Sequence, residues 1–198
     1  MFPETIGTDR LLLVRCCRDT LSALDLYEHM RAGAPHMDEV SRYVIWEPHD
    51  TPKDSHDYLD EVEQQWAERE QATYVVYPRE GEDDAGEFAG LTNLHFHWDV
   101  RAAELGIWLH KPFWGRGYSG ERAAALYELA FERLDLEVVG ATYHGGNENS
   151  KRAIEKYVEA HGGQYDGVRR NAFRAPDGEI RDFHRYSVTS EQYFESQQ

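Results

Sequence analysis

The residues best placed to do chemistry in this chain are Gly115-Arg116-Gly117-Tyr118-Ser119-Gly120, set between a short apolar strand and an amphipathic helix. Glycines let the backbone turn tightly there and leave its N–H groups uncovered, and the following helix adds the partial positive charge of its N-terminus. Such a junction is built to hold an anion such as a pyrophosphate. Two histidines offer a second arrangement. His95 and His97 alternate along one predicted strand and share a face, which suits an acceptor site or two metal ligands. No third ligand stands at a convincing spacing, so the expectation is acceptor lining and no metal. His110, His144 and His184 read as hydrogen-bonded structural or cleft-edge residues.

Taken literally, Gly115-x-Gly117-x-x-Gly120 is the dinucleotide fingerprint. A Rossmann site places its glycines directly after the first strand of a βαβ unit, with an acid near the end of the second strand. Here Lys111-Pro112-Phe113-Trp114 intervenes, several antiparallel-looking strands come first, and Glu137 stands at the start of the next strand. A Walker loop fails because no Lys-Ser/Thr follows the glycines. A ligand-free turn is the weaker alternative. Three glycines at a helix start lower its stability by about 1 kcal/mol each relative to alanine, which a purely structural turn hardly needs.

The elements that must position this segment follow from the hydrophobic pattern. Residues 10–17 read as a strand and 21–31 as a helix. Thr51-Pro52-Lys53-Asp54 is a helix start, with Thr51 as N-cap, Pro52 in the first turn and Asp54 facing the dipole. Tyr58, Leu59, Val62 and Trp66 follow at helical spacing. Residues 73–77 are β-rich, the acidic stretch 79–86 reads as a solvated hairpin tip, and 88–97 and 103–110 form two more strands. After the glycines, Ala123, Tyr127, Ala130, Phe131 and Leu134 mark one helix face. A strand over 138–144, a helix over 150–160 and two strands flanking a turn at 175–178 complete the chain. The order β-α-α-β-β-β-α-β-α-β-β describes one mixed α/β domain over residues 1–198, its central sheet mostly antiparallel and flanked by helices.

Ala103-Glu104-Leu105-Gly106-Ile107-Trp108-Leu109, followed by Phe113-Trp114 and the glycine segment, resembles the acetyl-CoA motif of the GNAT acyltransferases. The likeness is greatest to the RimJ/RimL-like branch, which acetylates N-termini of ribosomal proteins. Thr8-Asp9-Arg10-Leu11-Leu12-Leu13, Trp46-Glu47-Pro48, Asn147-x-x-Ser150 with Glu155-Lys156, and Gly178-x-x-x-Asp182-x-x-x-Tyr186 are similar to its other landmarks in the same order. Two departures stand out. Ile154 occupies the position of a tyrosine acid found in many relatives, so that mechanism is absent. Tyr157-Val158-Glu159-Ala160-His161-Gly162-Gly163 replaces the expected Leu-Gly-Phe, which puts acceptor identity rather than fold in question.

The resemblance implies a GNAT fold in which acetyl-CoA lays its pantetheine arm along the strand at 103–110, where that strand splays from the one at 138–144. The pyrophosphate sits on the N–H groups of Gly115, Arg116, Gly117, Tyr118, Ser119 and Gly120, with the Arg116 side chain either on a phosphate or in solvent. Backbone at Trp108, Leu109 and His110 pairs with the pantetheine amides and holds the thioester, and Asn147 hydrogen-bonds the pantetheine. Transfer to an amine needs two proton movements. Glu104 takes a proton from the ammonium nucleophile, directly or through water, or else only orients the acceptor or pairs with an arginine. Ser150 protonates the departing thiolate, or caps its helix, or both. The implied reaction is acetyl transfer to a primary amine in a ternary complex, first of all the α-amine of a protein or peptide. An acetyltransferase for a small amine and a silent acyl-CoA-binding module stand as alternatives, and both a monomer and a homodimer are left open.

Composition bounds the partners. The chain has 37 acidic and 21 basic residues, a net charge of −16, and only four lysines. An acidic surface could attract basic partners such as ribosomal proteins or polyamines. Acid is spread along the whole chain, however, which favours adaptation to a salty cytoplasm, where at 1 M salt the Debye length is about 3 Å. No basic stripe exists to neutralise phosphates, so nucleic acid is disfavoured. The apolar run Leu11-Leu12-Leu13-Val14 is too short for a signal sequence or a membrane span. Adjacent Cys16 and Cys17, expected on opposite faces of a strand, do not suit a mutual disulfide, so a reducing cytoplasm is expected. The charge makes a prediction. The melting temperature should rise steeply with KCl as self-repulsion is screened, and equal values in dilute buffer and molar KCl would defeat the salt-adapted reading.

Overall fold

The computed structural model describes residues 1–175 and 178–198. Strands β1 (Thr5–Gly7), β2 (Leu11–Arg15), β3 (Gln71–Pro78), β4 (Gly90–His97), β5 (Ala102–Leu109), β6 (Val138–His144), β7 (Gln164–Arg174) and β8 (Ile180–Thr189) form an open mixed sheet. Hydrogen bonding joins them in the order β1-β2-β3-β4-β5-β6-β8-β7. The β5–β6 ladder is parallel and pairs Ala102 with Val138 through Leu105 with Ala141. By contrast β6–β8 and β7–β8 are antiparallel. The chain divides into two compact units, Met1–Asn93 with Ile107–Tyr118, and Leu94–Gly106 with Ser119–Gln198.

The first unit carries helices α1 (Ala23–Met30), α2 (Met37–Ser41) and α3 (Pro52–Glu68). Thr51 and Asp54 form the capping box expected of the Thr-Pro-Lys-Asp start, and Pro52 stands in the first turn. Leu59 and Val62 of α3 join Leu26 and Met30 of α1, Val75, Leu91 and Trp108 in one buried cluster. Burial of these side chains, about 1.5–3 kcal/mol for each large apolar residue, holds the helices on the sheet. In the second unit, α4 (Tyr118–Glu128) runs into a π-helical turn at Leu129–Arg133, followed by α5 (Glu148–Ala160) and α6 (Ser190–Ser196). Ala123, Tyr127, Ala130 and Phe131 are buried as the spacing requires, and the Tyr127 ring stacks on Phe131 at 5.9 Å. No helix among the described residues is long and apolar enough to cross a membrane.

Among the described residues the structure adds one strand and two α-helices to the predicted order. β1 is only three residues long, too short for a period to show. α2 is preceded by His36 in a left-handed conformation with no side-chain cap hydrogen bond, so it lacks a start signal. α6 does carry one, the reciprocal Thr189–Gln192 capping box, which the hydrophobic pattern does not reveal. The first strand also ends earlier than expected. β2 stops at Arg15, and Cys16 and Cys17 beyond it are both buried as free thiols. The turn expected at residues 175–178 falls on Pro176 and Asp177, which lie outside the described residues.

Candidate active site

The glycine segment turns as its composition demands. Gly115 and Gly117 have φ of 76° and 84°, values that L side chains rarely adopt, and α4 starts at Tyr118. Side chains of the first unit brace this turn. Arg10 donates from Nη1 to the Arg116 carbonyl at 2.9 Å and lies 5.3 Å from the Tyr118 ring centroid. Tyr118 is buried and donates its hydroxyl to Glu82 Oε2 at 2.7 Å. The Arg116 guanidinium, half-buried, is paired rather than free. It pairs with Asp84 Oδ2 at 2.8 Å, donates to the Asp83 carbonyl at 2.9 Å and covers the Phe113 ring. The acidic stretch 79–86 is therefore no mere solvated tip: Glu82, Asp83 and Asp84 hold the glycine turn.

Trp108, Leu109 and His110 lie just N-terminal to this turn in the same unit. The His110 N–H donates to the Ala89 carbonyl at 2.8 Å, and the Leu109 carbonyl accepts from the Trp114 indole at 2.7 Å. Trp114 is thus a brace for the end of β5. The His110 ring sits among His29, Phe88 and Trp108, and its buried Nε2 has no hydrogen-bond partner among the described residues. Burial, followed by the charge of His29, pushes the His110 imidazole down to about 4 from its ordinary 6.5. The unfolded chain takes up this proton near pH 6.5 while the folded protein resists it to about pH 4. The stabilisation is complete above pH 6.5 and drains away as the pH falls towards 4. Urea midpoints at pH 7 and 4.5 should therefore differ less for His110→Gln than for the parent. An unchanged difference would show that His110 does not contribute.

The other candidates belong to the second unit. Asn147, rather than Ser150, is the N-cap of α5, and its Oδ1 accepts from the Ser150 N–H at 3.1 Å. The cap uses the Asn147 amide oxygen and the Ser150 backbone N–H, not the Ser150 hydroxyl. Ser119 and Gly120 follow Tyr118 in the first turn of α4, and a Cβ on Gly120 would stand 3.9 Å from Tyr157 Cβ. Glu104 Oε1 accepts from Arg185 Nε at 3.1 Å and Nη2 at 2.8 Å, while Arg185 Nη1 meets Asp166 Oδ2 at 2.5 Å. Ser187 donates to the other Asp166 oxygen at 3.0 Å. Glu104 is thus paired with an arginine, and its Oε2 retains no hydrogen-bond partner among the described residues.

Sequence reading missed Arg185 and Asp166. The signal that could have found them is Gly140, in the middle of β6, because a strand glycine often marks a close approach. A Cβ there would lie 2.4 Å from Glu104 Oε1 and 2.6 Å from Arg185 Nη2. His95 and His97 are exposed, with ring centroids 5.0 Å apart.

Residues 10–157 match the acetyltransferase (GNAT) domain family. Over 72 residues the chain is 36% identical to YdaF of Bacillus subtilis (strain 168), named as a candidate ribosomal N-acetyltransferase; that stretch is 36% of this chain and 39% of that relative. A candidate acetyltransferase from T. thermophilus has a TM-score of 0.75 at 28% identity, covering 99% of this chain and 94% of its own. The structure described as RimL, a ribosomal L7/L12 α-N-protein acetyltransferase, shares the fold with a TM-score of 0.77 at 16% identity over 94% of each chain. The family match takes in the braced glycine turn, β5 with Glu104, and the capped start of α5, and with it the chain belongs to the GNAT family of acetyl-CoA-dependent acetyltransferases.

Proposed function

We propose that this enzyme transfers the acetyl group of acetyl-CoA to the α-amine of a protein or peptide N-terminus, as a member of the RimJ/RimL-like branch. The pyrophosphate rests on the uncovered N–H groups of Gly115, Arg116, Gly117, Tyr118, Ser119 and Gly120. The Arg116 side chain reaches a phosphate only by leaving Asp84. Backbone at Trp108, Leu109 and His110 holds the pantetheine and thioester, and the Asn147 amide donates to the pantetheine. The observation that carries this reading is the pair of positive-φ glycines at the head of α4, set in a family match that also includes Glu104 and Asn147-x-x-Ser150.

Chemistry then proceeds by direct attack. The ammonium loses a proton towards the Glu104 carboxylate, directly or through water, while Arg185 fixes that carboxylate in place. The free amine attacks the thioester carbonyl to give a tetrahedral intermediate, and the C–S bond breaks. The Ser150 hydroxyl gives its proton to the departing thiolate while the second proton of the attacking nitrogen returns to the Ser150 oxygen, which leaves the neutral amide. An α-amine, with a pKa near 8, costs roughly 1.4 kcal/mol to deprotonate at neutral pH, against about 4.6 kcal/mol for a lysine. That difference favours an N-terminus for a single carboxylate base. The dispersed acid of the surface fits a cationic small amine as a second reading, and salt adaptation accounts for the same charge.

Calorimetric titration in molar KCl tests the donor, with NAD as the control. One-site binding of acetyl-CoA and none of NAD is expected, and binding of NAD alone would overturn the family chemistry. Glu104→Gln and Ser150→Ala should each bind acetyl-CoA normally and acetylate N-terminal peptides at least tenfold more slowly. Full turnover in both would refute the assigned proton steps. A parent enzyme that acetylates small amines but no peptide would replace the proposed acceptor.

A further inference from the structure

The second unit holds a cavity that the acetyl-transfer reading does not use. Tyr143 of β6 lies opposite His184 of β8, and Tyr165 of β7 lies opposite Tyr186 of β8. His184 and Tyr186 are two residues apart on one strand, so all four side chains share one face of the sheet. Their rings touch in a closed circuit. Centroid distances are 4.8 Å from Tyr143 to His184, 5.9 Å from His184 to Tyr165, 4.9 Å from Tyr165 to Tyr186 and 6.2 Å from Tyr186 to Tyr143. Helix α5 packs against β6, β7 and β8 and presents Lys151, Glu155 and Glu159, each one turn from the next. Between floor and helix lies a cavity of about 510 Å³, lined also by Val158.

The lining is rich in acceptors and in negative charge. Tyr186 donates its hydroxyl to Glu155 Oε1 at 2.8 Å, which leaves the second carboxylate oxygen unspent. The Tyr165 hydroxyl is taken up by His184 Nδ1 at 2.8 Å. Two carboxylates, Glu155 and Glu159, and one ammonium, that of Lys151, line it. A neutral apolar ligand would displace water from those carboxylates and bring no charge in its place, and an anion would be repelled by them. A ligand with an apolar body and a cationic N–H head meets both, because aromatic floors attract cations and carboxylates accept charge-assisted hydrogen bonds.

We propose that this cavity binds a small primary alkylammonium, its head on Glu155 and Glu159 and its stem over Tyr143, Tyr186 and Val158. It is separate from the proposed acceptor chemistry. Gly140 turns its missing Cβ towards Glu104 and Arg185, and Tyr143, three residues along the same strand, projects from the opposite face.

The test is calorimetric titration of the full chain with n-butylammonium chloride in molar KCl, where diffuse attraction to the acidic surface is screened. One-site binding is expected, at least tenfold weaker in Glu155→Gln and in Glu159→Gln and unchanged in the exposed control Glu70→Gln. The amide oxygen introduced by Glu155→Gln can still accept from Tyr186, so thermal melts should show each variant folded. No saturable binding to the parent would overturn the proposal. So would equal binding of n-butanol, or equal weakening by Glu70→Gln. Loss of binding in Glu104→Gln in place of Glu155→Gln would move the amine to the acceptor face. Binding that appears only in Lys151→Met would make the chain's own ammonium the occupant and overturn an external ligand.

Discussion

Gly90→Ala is expected to destabilise the protein by about 3 kcal/mol and to lower its melting temperature by about 6–12 °C. A Cβ at residue 90 would stand 2.1 Å from the Trp108 carbonyl oxygen and 2.8 Å from Leu109 Cα. Both are backbone atoms, so no side-chain rotation relieves the contact. The φ of 151° adds strain for any L side chain. The strands must separate at the point where the neighbouring Ala89 carbonyl accepts from the His110 N–H. The backbone assigned to the thioester therefore moves with the fold. Thermal melts and acetyl-CoA titration of the variant read the two consequences separately. A melting temperature within about 2 °C of the parent would show that β4 and β5 are looser here than the 2.1 Å approach requires. Gly140 makes a useful contrast. Its clash is with the tips of Glu104 and Arg185, which can swing away, so alanine there should disturb the ion pair more than the fold.

Arg122→Met is expected to raise stability by about 1–3 kcal/mol, or about 2–4 °C in melting temperature for each kcal/mol. Arg122 is only 1% exposed, and its Nε and Nη1 have no hydrogen-bond partner among the described residues. Burial lowers its pKa, the direction expected of a cation stripped of water. The guanidinium lies 5.4 Å from the Tyr157 ring centroid and has a side-chain hydrogen bond to Tyr157. A cation–π contact of about 2 kcal/mol, together with that bond, offsets only part of the desolvation of an ion. Methionine keeps the length and flexibility of the stem without the charge. Melts with and without acetyl-CoA decide the matter. A variant that melts well below the parent would show that the contacts with Tyr157 outweigh the desolvation of the guanidinium. A variant that also loses its stabilisation by acetyl-CoA would identify the cofactor as a partner of Arg122.

Local signals carried much of the site into view. The positive φ at Gly115 and Gly117 follows from glycine in a tight turn before a helix, and the Thr51–Asp54 box follows from capping chemistry; both act within a few residues. The same logic failed by one step at α5. Asn147 and Ser150 both suit a cap, and the backbone chose Asn147, which leaves the Ser150 hydroxyl out of the cap. Stretch 79–86 misled for a different reason. Its acids look like any solvated loop until Arg116 and Tyr118, more than thirty residues away, are brought against Asp84 and Glu82.

From the sequence alone came the α/β class, the glycine turn at the head of α4, the strand carrying Glu104, and the order of motifs that marks the family. Each of these depends on residue types at short spacing, where dihedral preferences, capping and periodicity act directly. The tertiary structure alone decided that Glu104 pairs with Arg185, that Arg116 is held by Asp84, and that four aromatic rings from three strands floor one cavity. Those contacts join residues up to 81 positions apart. Strand register sets them, and register is a property of the whole sheet: shifting β8 by one residue would turn Arg185 to the other face and carry Tyr186 with it.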